Sequence, residues 1–231
     1  MEIYLNPLPG KEAHIRLAPI QRRTDMFLDI YPPKNAKRSA VLVLLLPGGS
    51  SWQNSKIDIE EILKWRVLII QRNSYNGIHS AQAAFPGGKR EESDSSFADT
   101  AIREAEEETG IKREDFIPVS YLSQLYVPPS NFLIQPLLAI AKDTPQIVPD
   151  AREVSRYLEI PISVFKPGNE VYKSFSSPSG ELLDAPGYEY DGLFIWGATA
   201  MILSELYQVV EEAVLSRLLS KTYISSSNPL K

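Results

Sequence analysis

The chain has 231 residues, enough for one domain with extensions and for a core that needs no covalent staples. Cysteine is absent and histidine occurs only as His14 and His79, which excludes disulfides, thiolate zinc sites and cysteine nucleophiles and leaves a hard, oxygen-held cation as the favoured metal. A formal net charge of -5 argues against a nucleic-acid binder, which needs a basic face, but not against a small polyanion whose charge a bound cation offsets. The longest apolar run, Ala40 to Leu46, is too short to span a bilayer, and no basic segment followed by an apolar run opens the chain. The expectation is a soluble cytoplasmic protein with no membrane or nucleic-acid partner, as a monomer or homodimer.

In chain order, residues 1–38 are rich in proline and charge and read as an extension packed on the domain. Residues 39–222 read as the domain itself and 223–231 as a tail. Ala40–Leu46 and Trp65–Arg72 are apolar runs with the pattern of buried strands. The IDIEEIL stretch between them reads as a hairpin loop or a short helix. Residues 77–86 read as a loop leading into a short strand that ends at Phe85, followed by a sharp turn at Gly87-Gly88. From Ser95 to Thr109 the pattern is helical. Ala98, Ala101, Ile102 and Ala105 form one apolar stripe, Gly110 stands at the C-cap position, and Asp94, Ser95 or Ser96 supplies the N-cap.

Further on, Val119–Val127 and Phe132–Ala141 read as strands joined by Pro128-Pro129-Ser130-Asn131. Pro149-Asp150 opens a turn, Arg156–Pro161 reads as a short strand, and Ile162–Phe165 as a helical turn. Val171–Phe175 and Tyr188–Trp196 read as a hairpin around a turn rich in serine, proline and glycine. Residues 198–221 form the longest helical pattern. Strands and helices alternate irregularly, so a mixed sheet between helices is expected.

The chemistry concentrates in the segment from Phe85 to Ile111. Glu104, Glu107 and Glu108 stand at i, i+3 and i+4, on one helix face. Like charges so placed repel by a few tenths of a kcal/mol per pair, roughly, unless a divalent cation reverses the sign. The glycines before the helix let backbone approach a ligand closely and add carbonyl oxygens as donors. Taken alone, the EAEEE string reads as a solvated acidic face. The full arrangement of Gly87-Gly88, an acidic spacer, Arg103-Glu104, Glu107-Glu108 and Gly110-Ile111 resembles the Nudix box. The match departs at one place: the segment between Asp94 and Arg103 is one residue longer than the general box, with Asp in place of Glu, which leaves the role of Asp94 open.

Phe85-Pro-Gly-Gly-Lys followed by Thr100-Ala-Ile-Arg-Glu-Ala resembles the coenzyme A pyrophosphatase branch of that superfamily. The branch's upstream signature is kept in spacing from Arg72 to Phe85 but departs in identity at Asn73, Gly77 and Ala81. The resemblance extends over roughly residues 12–210 and implies an α/β fold, the Nudix α/β/α sandwich. It also implies metal-dependent hydrolysis of a small-molecule diphosphate, with coenzyme A giving 4′-phosphopantetheine and adenosine 3′,5′-bisphosphate. Alternatives are ADP-ribose or another nucleoside diphosphate derivative as substrate, or a non-catalytic nucleotide sensor on the same fold.

By the resemblance, Glu104, Glu107 and Glu108, with the Gly88 carbonyl, would hold Mg²⁺ or Mn²⁺, and Arg103 would orient Glu104. Arg72 and Lys89 are the candidates for phosphate contact, and His79, Ser130 and Asn131 for other substrate contacts. Each of these also has a plain structural reading, as a surface ion pair, a loop histidine or a hairpin turn. Glu153 reads as a surface carboxylate or a distal general base. Trp196 reads as core, with stacking on a base as the less expected role.

Overall fold

The computed structural model describes residues 8–23, 31–48, 59–73, 82–176, 180 and 182–226, with the backbone alone at 59–60 and 213–226. His79, Gly77 and Ala81 lie outside the described residues. The expected strand pair is present as β1 (Lys37–Leu46) and β2 (Arg66–Arg72), and IDIEEIL contributes the short helix α2 (Ile59–Lys64). A helix α1 (Lys11–Leu17) precedes them. The segment Ala83–Ala84 forms β3 and Gly87–Lys89 forms β4. Gly87-Gly88 is therefore strand rather than the expected sharp turn. It is drawn out by antiparallel pairing with β1, in which Gly88 faces Ala40 and Gly87 faces Val41.

The Nudix-like helix is α3 (Phe97–Thr109). Ser96 caps it, accepting from the Asp99 N–H at 3.1 Å while Asp99 accepts from the Ser96 N–H at 2.9 Å. Gly110 ends it at φ 73°, a left-handed position where a side chain is strained. The expected strand 119–127 is two strands, β5 (Phe116–Tyr121) and β6 (Leu125–Val127), both antiparallel to β7 (Phe132–Ala141). The break falls where the Ser123 N–H leaves the sheet for the Glu205 carboxylate. β8 (Val154–Pro161) pairs with β2.

Among the described residues of this eight-stranded sheet, β1 and β7 run parallel and the other pairings are antiparallel. The sheet is mixed, as expected. Alternation along β1 builds its two faces. Ala40, Leu42 and Leu44 pack with Ala101 and Ala105 of α3, while Val43 and Leu45 pack with α4 (Gly197–Ser226) on the other side. The result is the α/β/α sandwich.

The hairpin expected around residues 171–196 is instead a three-stranded antiparallel sheet of β9 (Val171–Ser176), β10 (Leu182–Tyr190) and β11 (Leu193–Trp196). Leu182–Gly187, expected as part of the turn, pairs along all of β9 and buries Leu183 and Ala185. A tight turn at Asp191-Gly192, φ 47° and 72°, separates β10 from β11.

The N-terminal segment docks through polar contacts. The His14 imidazole lies 3.0 Å from Oε2 of Glu205 on α4, both buried. Arg16 pairs with Glu170 at 2.6 Å, and Gln21 exchanges two hydrogen bonds with Asp184 of β10. Burial pushes the Glu205 carboxyl up, but the hydrogen bonds from His14 and the Ser123 N–H outweigh it and hold the group below its ordinary value of 4.5. His14→Ala is expected to cost about 1.5–3 kcal/mol, the range for a hydrogen bond to a charged group. The contribution of the Glu205 carboxylate stands above pH 4.5 and is lost as pH falls through the depressed folded value. Urea denaturation of wild type and variant at neutral pH and in stronger acid measures both; equal midpoints at neutral pH would contradict the pairing.

Candidate active site

β1 and β2 pair only at Leu45–Leu46 and then diverge. The chain from Gln82 to Arg90 bridges the gap. The Arg72 N–H donates to the Gln82 carbonyl at 3.1 Å, the Leu42 N–H to the Pro86 carbonyl at 2.8 Å, and the Arg90 N–H to the Arg38 carbonyl at 2.9 Å. That bridge carries Gly87-Gly88 under the acidic face of α3. The approach is too close for side chains. A Cβ on Gly87 would lie 2.4 Å from the Ala40 carbonyl oxygen, and one on Gly88 would lie 2.3 Å from the Glu104 carboxylate. Backbone contact requires glycine at 87, whereas a side chain at 88 would displace the Glu104 carboxylate.

Glu108 is buried at 2% exposure, and its Oε2 accepts the Gly87 N–H at 2.8 Å. Its Oε1 has no hydrogen-bond partner; the Arg72 guanidinium, 3.4 Å away, supplies charge but not a hydrogen bond. Burial pushes the Glu108 carboxyl up to about 7 against the pull of Arg72 and the Gly87 N–H, and Glu104 and Glu153 push it further. Burial likewise raises Glu104 against Arg103, with Glu107 and Glu153 adding to the rise. Glu107 is exposed and is held only loosely, at 3.5 Å from Arg103. The Arg103 Nη1 also donates to Glu104 at 3.0 Å.

Asp94 acquires a clear place. It is buried and accepts four bonds: Arg103 Nε at 3.1 Å and Nη2 at 3.0 Å, Thr100 Oγ1 at 2.9 Å and the Glu91 N–H at 2.9 Å. The Arg103 hydrogen bonds hold its carboxyl far below the usual carboxylate range despite burial. The guanidinium reaches the Lys89 carbonyl as well, at 3.2 Å, tying α3 to β4. Sequence reasoning left Asp94 without a role because the lengthened box obscures its alignment.

Among the described residues no three acidic or histidine side chains converge as a ready ligand set. Glu104 and Glu107 lean to Arg103, while Glu108 lies against Gly87. The donor set nonetheless fits a divalent cation. Oε1 of Glu108, which accepts no hydrogen bond, offers a hard oxygen, and a cation would favour the charged forms of Glu104 and Glu108 that burial and the neighbouring carboxylates disfavour.

A cleft of roughly 610 Å³ opens beside these carboxylates, large enough for a nucleotide-sized ligand. One wall carries Arg72, Gly88 and Lys89; Ser130 borders it, and Phe175 and Trp196 face it from the small sheet. Trp196 was expected in the core. Because Leu193 and Ile195 take the buried face of β11, Trp196 falls on the other face, half-buried and edge-on to Phe175 at 4.3 Å. Ser130 Oγ donates to the Val127 carbonyl at 3.4 Å. Asn131 sits in a left-handed turn, accepting from the Tyr126 hydroxyl and donating to the Asn35 carbonyl. Its amide is thus engaged in the turn. Glu153 is exposed at the C-terminal end of α3, where the Asp150 N–H donates to the Glu108 carbonyl.

Asp94→Asn is expected to lower stability by about 2–3 kcal/mol at pH 7, since it removes the charge that balances a half-buried guanidinium. The depressed folded pKa places this contribution above the ordinary value of 3.8, to be lost as pH falls below it. Denaturation midpoints at pH 7 and pH 3 check the sign. A variant as stable as wild type at pH 7 would remove Asp94 from this account.

The NUDIX domain profile matches residues 60–163. The chain is 32% identical over 144 residues to an uncharacterised Nudix hydrolase, NudL, of Yersinia enterocolitica, covering 62% of this chain and 73% of that one. It is 27% identical over 202 residues to Nudix hydrolase 15, mitochondrial, of Arabidopsis thaliana, covering 85% of this chain and 64% of the plant protein. A MutT/nudix family protein from Enterococcus faecalis superposes with a TM-score of 0.47 at 16% identity, over 87% of this chain and 73% of that one. With its glycine strand, acidic helix and capped box in place, the chain belongs to the Nudix hydrolases.

Proposed function

We propose that this chain is a Mg²⁺- or Mn²⁺-dependent diphosphatase acting on a nucleoside diphosphate derivative, ADP-ribose and coenzyme A being the two candidate types. The observation that carries the reading is the buried Oε1 of Glu108, which accepts no hydrogen bond and meets only the Arg72 guanidinium, set beside Gly88 and a cleft that Arg72 and Lys89 line. Glu104, Glu107, Glu108 and the Gly88 carbonyl would hold the metal. Bound there, the metal supplies charge for the diphosphate oxygens and acidifies an attacking water.

The chain's own residues do the rest. Arg103, fixed by Asp94, orients Glu104 by a charge-assisted hydrogen bond. Arg72, beside Glu108, and Lys89, on the cleft wall, face the phosphates. A carboxylate takes the proton of the attacking water, and the second phosphate leaves. Glu153 is the candidate acceptor outside the box, because its charge bears on both Glu104 and Glu108. Coenzyme A is favoured as the narrower reading by the Phe85–Lys89 block with Arg72 at the kept spacing. ADP-ribose is the second reading, favoured by the departures at Asn73, Gly77 and Ala81.

A panel of coenzyme A, ADP-ribose and dinucleoside polyphosphates, run with Mg²⁺ and with Mn²⁺ and with products identified by mass, tests both levels. Turnover is expected to vanish with chelator and return with either metal. Glu107→Gln, which keeps helix propensity, is expected to lower turnover roughly 10²–10⁴-fold. Turnover unchanged by thorough chelation would overturn the mechanism. A preference for ADP-ribose of tenfold or more would replace the narrower reading.

A further inference from the structure

Two arginines meet the acidic face of α3, and they are held very differently. Arg103 donates hydrogen bonds to Asp94 at 3.0 and 3.1 Å, to Glu104 at 3.0 Å and to the Lys89 carbonyl at 3.2 Å. Arg72 has no such clamp. Its backbone is tied down, the N–H donating to the Gln82 carbonyl at 3.1 Å. Its guanidinium meets Oε1 of Glu108 at 3.4 Å without forming a hydrogen bond.

The strand end places Arg72 between a buried anion and the cleft. The pairing of β2 with β8 slips between Gln71 and Arg72, so that Gln71 faces Arg156 and Arg72 faces Val154. Such an irregularity re-aims a side chain. The Arg72 side chain is 27% exposed against 2% for Glu108, and it lines the cleft as well as reaching the carboxylate. A carboxylate shut off from solvent keeps its charge only beside a compensating one, and Arg72 is the positive group that bears on Glu108. A divalent cation at the same oxygen would do that task more strongly. It would also repel the guanidinium across a poorly screened gap. The guanidinium then has the cleft to turn into, where a diphosphate presents the opposite charge.

We infer that Arg72 is the internal counter-ion of Glu108 in the metal-free protein and exchanges partners on loading, leaving Glu108 to the divalent cation and turning its guanidinium to the diphosphate. The cation that grips the phosphates is thereby withheld until the metal is in place, which orders binding as metal first and diphosphate second. This rests on the reading of Glu108 as a metal ligand beside a diphosphate site. It goes beyond that reading by giving Arg72 two successive partners, and by opposing its effects on the two ligands: it competes with the metal and supports the diphosphate.

The test measures both ligands on the full chain as wild type, Arg72→Gln and Arg72→Lys. Mn²⁺ is titrated into the substrate-free proteins at about pH 8, where protons compete less with the metal. Arg72→Gln, with no cation to displace, is expected to bind Mn²⁺ roughly tenfold or more tightly than wild type, and Arg72→Lys, which keeps the charge, to stay near wild type. Methylenediphosphonate, whose bridging carbon cannot be hydrolysed, is then titrated by calorimetry with Mn²⁺ in excess. Here the order reverses: Arg72→Gln is expected to bind it roughly tenfold more weakly, and Arg72→Lys to recover part of the loss. A merely structural ion pair gives the opposite first result, because removing the brace on Glu108 would weaken Mn²⁺ binding. Mn²⁺ binding unchanged or weakened by Arg72→Gln would overturn the inference, and so would undiminished binding of the diphosphonate. With Mn²⁺ bound by wild type and turnover dependent on it, either result leaves the diphosphatase reading standing. A wild type that binds no Mn²⁺ and keeps its turnover after chelation would sink that reading, and the exchange with it.

Discussion

Arg103 is shared among three carboxylates and a backbone carbonyl, and the site depends on that sharing. Glutamates at 104, 107 and 108 crowd negative charge onto one helix face, which an isolated helix resists. The guanidinium meets Glu104 and Glu107 from one nitrogen while its other two nitrogens hold Asp94. Asp94 in turn is fixed by Thr100 and the Glu91 N–H, so the arginine is aimed by a buried, fully used anion. The same group reaches the Lys89 carbonyl and joins helix to glycine strand. Without Asp94, Arg103 has no reason to prefer one of these partners.

The sheet supplies the second constraint. Divergence of β1 from β2 opens room for the Gln82–Arg90 bridge, and the bridge brings backbone N–H and C=O groups against carboxylates. Small residues keep that geometry tight. Ala101 and Ala105 seat α3 on β1, and glycine at 87 and 88 lets β4 pass between the sheet and the glutamates. Packing on one face of α3 thereby fixes the chemistry on the other. The N-terminal segment closes the far side of the same cleft, so residues distant in sequence share one ligand-sized space.

Much of this was legible where a local pattern has one physical solution. The alanine stripe, an N-cap among Asp94, Ser95 and Ser96, and Gly110 delimit α3 without tertiary help, and the apolar runs of β1 and β2 have the form of buried strands. Elsewhere tertiary pairing decided. Pro186 and Gly187 read as turn, yet they sit in β10 because β9 offers a full-length partner. The Asp191-Gly192 signal was hidden inside an apolar run read as one strand. Gly87-Gly88 reads as a turn by composition and becomes a strand because β1 leaves an edge open. Asp94 is a harder case: nothing local distinguishes it from its acidic neighbours. Only the packed structure separates a carboxylate that clamps an arginine from one that faces water.

Binding of Mn²⁺ to the substrate-free protein, followed by the loss of its free-ion electron spin resonance signal, reaches the central claim most directly. On this account Glu104 and Glu107, held by Arg103, and Glu108, held by the Gly87 N–H, form the cation site, whereas Glu106, on the other side of α3 and paired with Lys112, lies outside it. Glu108→Gln is then expected to weaken Mn²⁺ binding about tenfold or more, as loss of a charged ligand does, and Glu106→Gln to leave it as in wild type. Equal effects of the two substitutions, or undiminished binding by Glu108→Gln, would contradict the account.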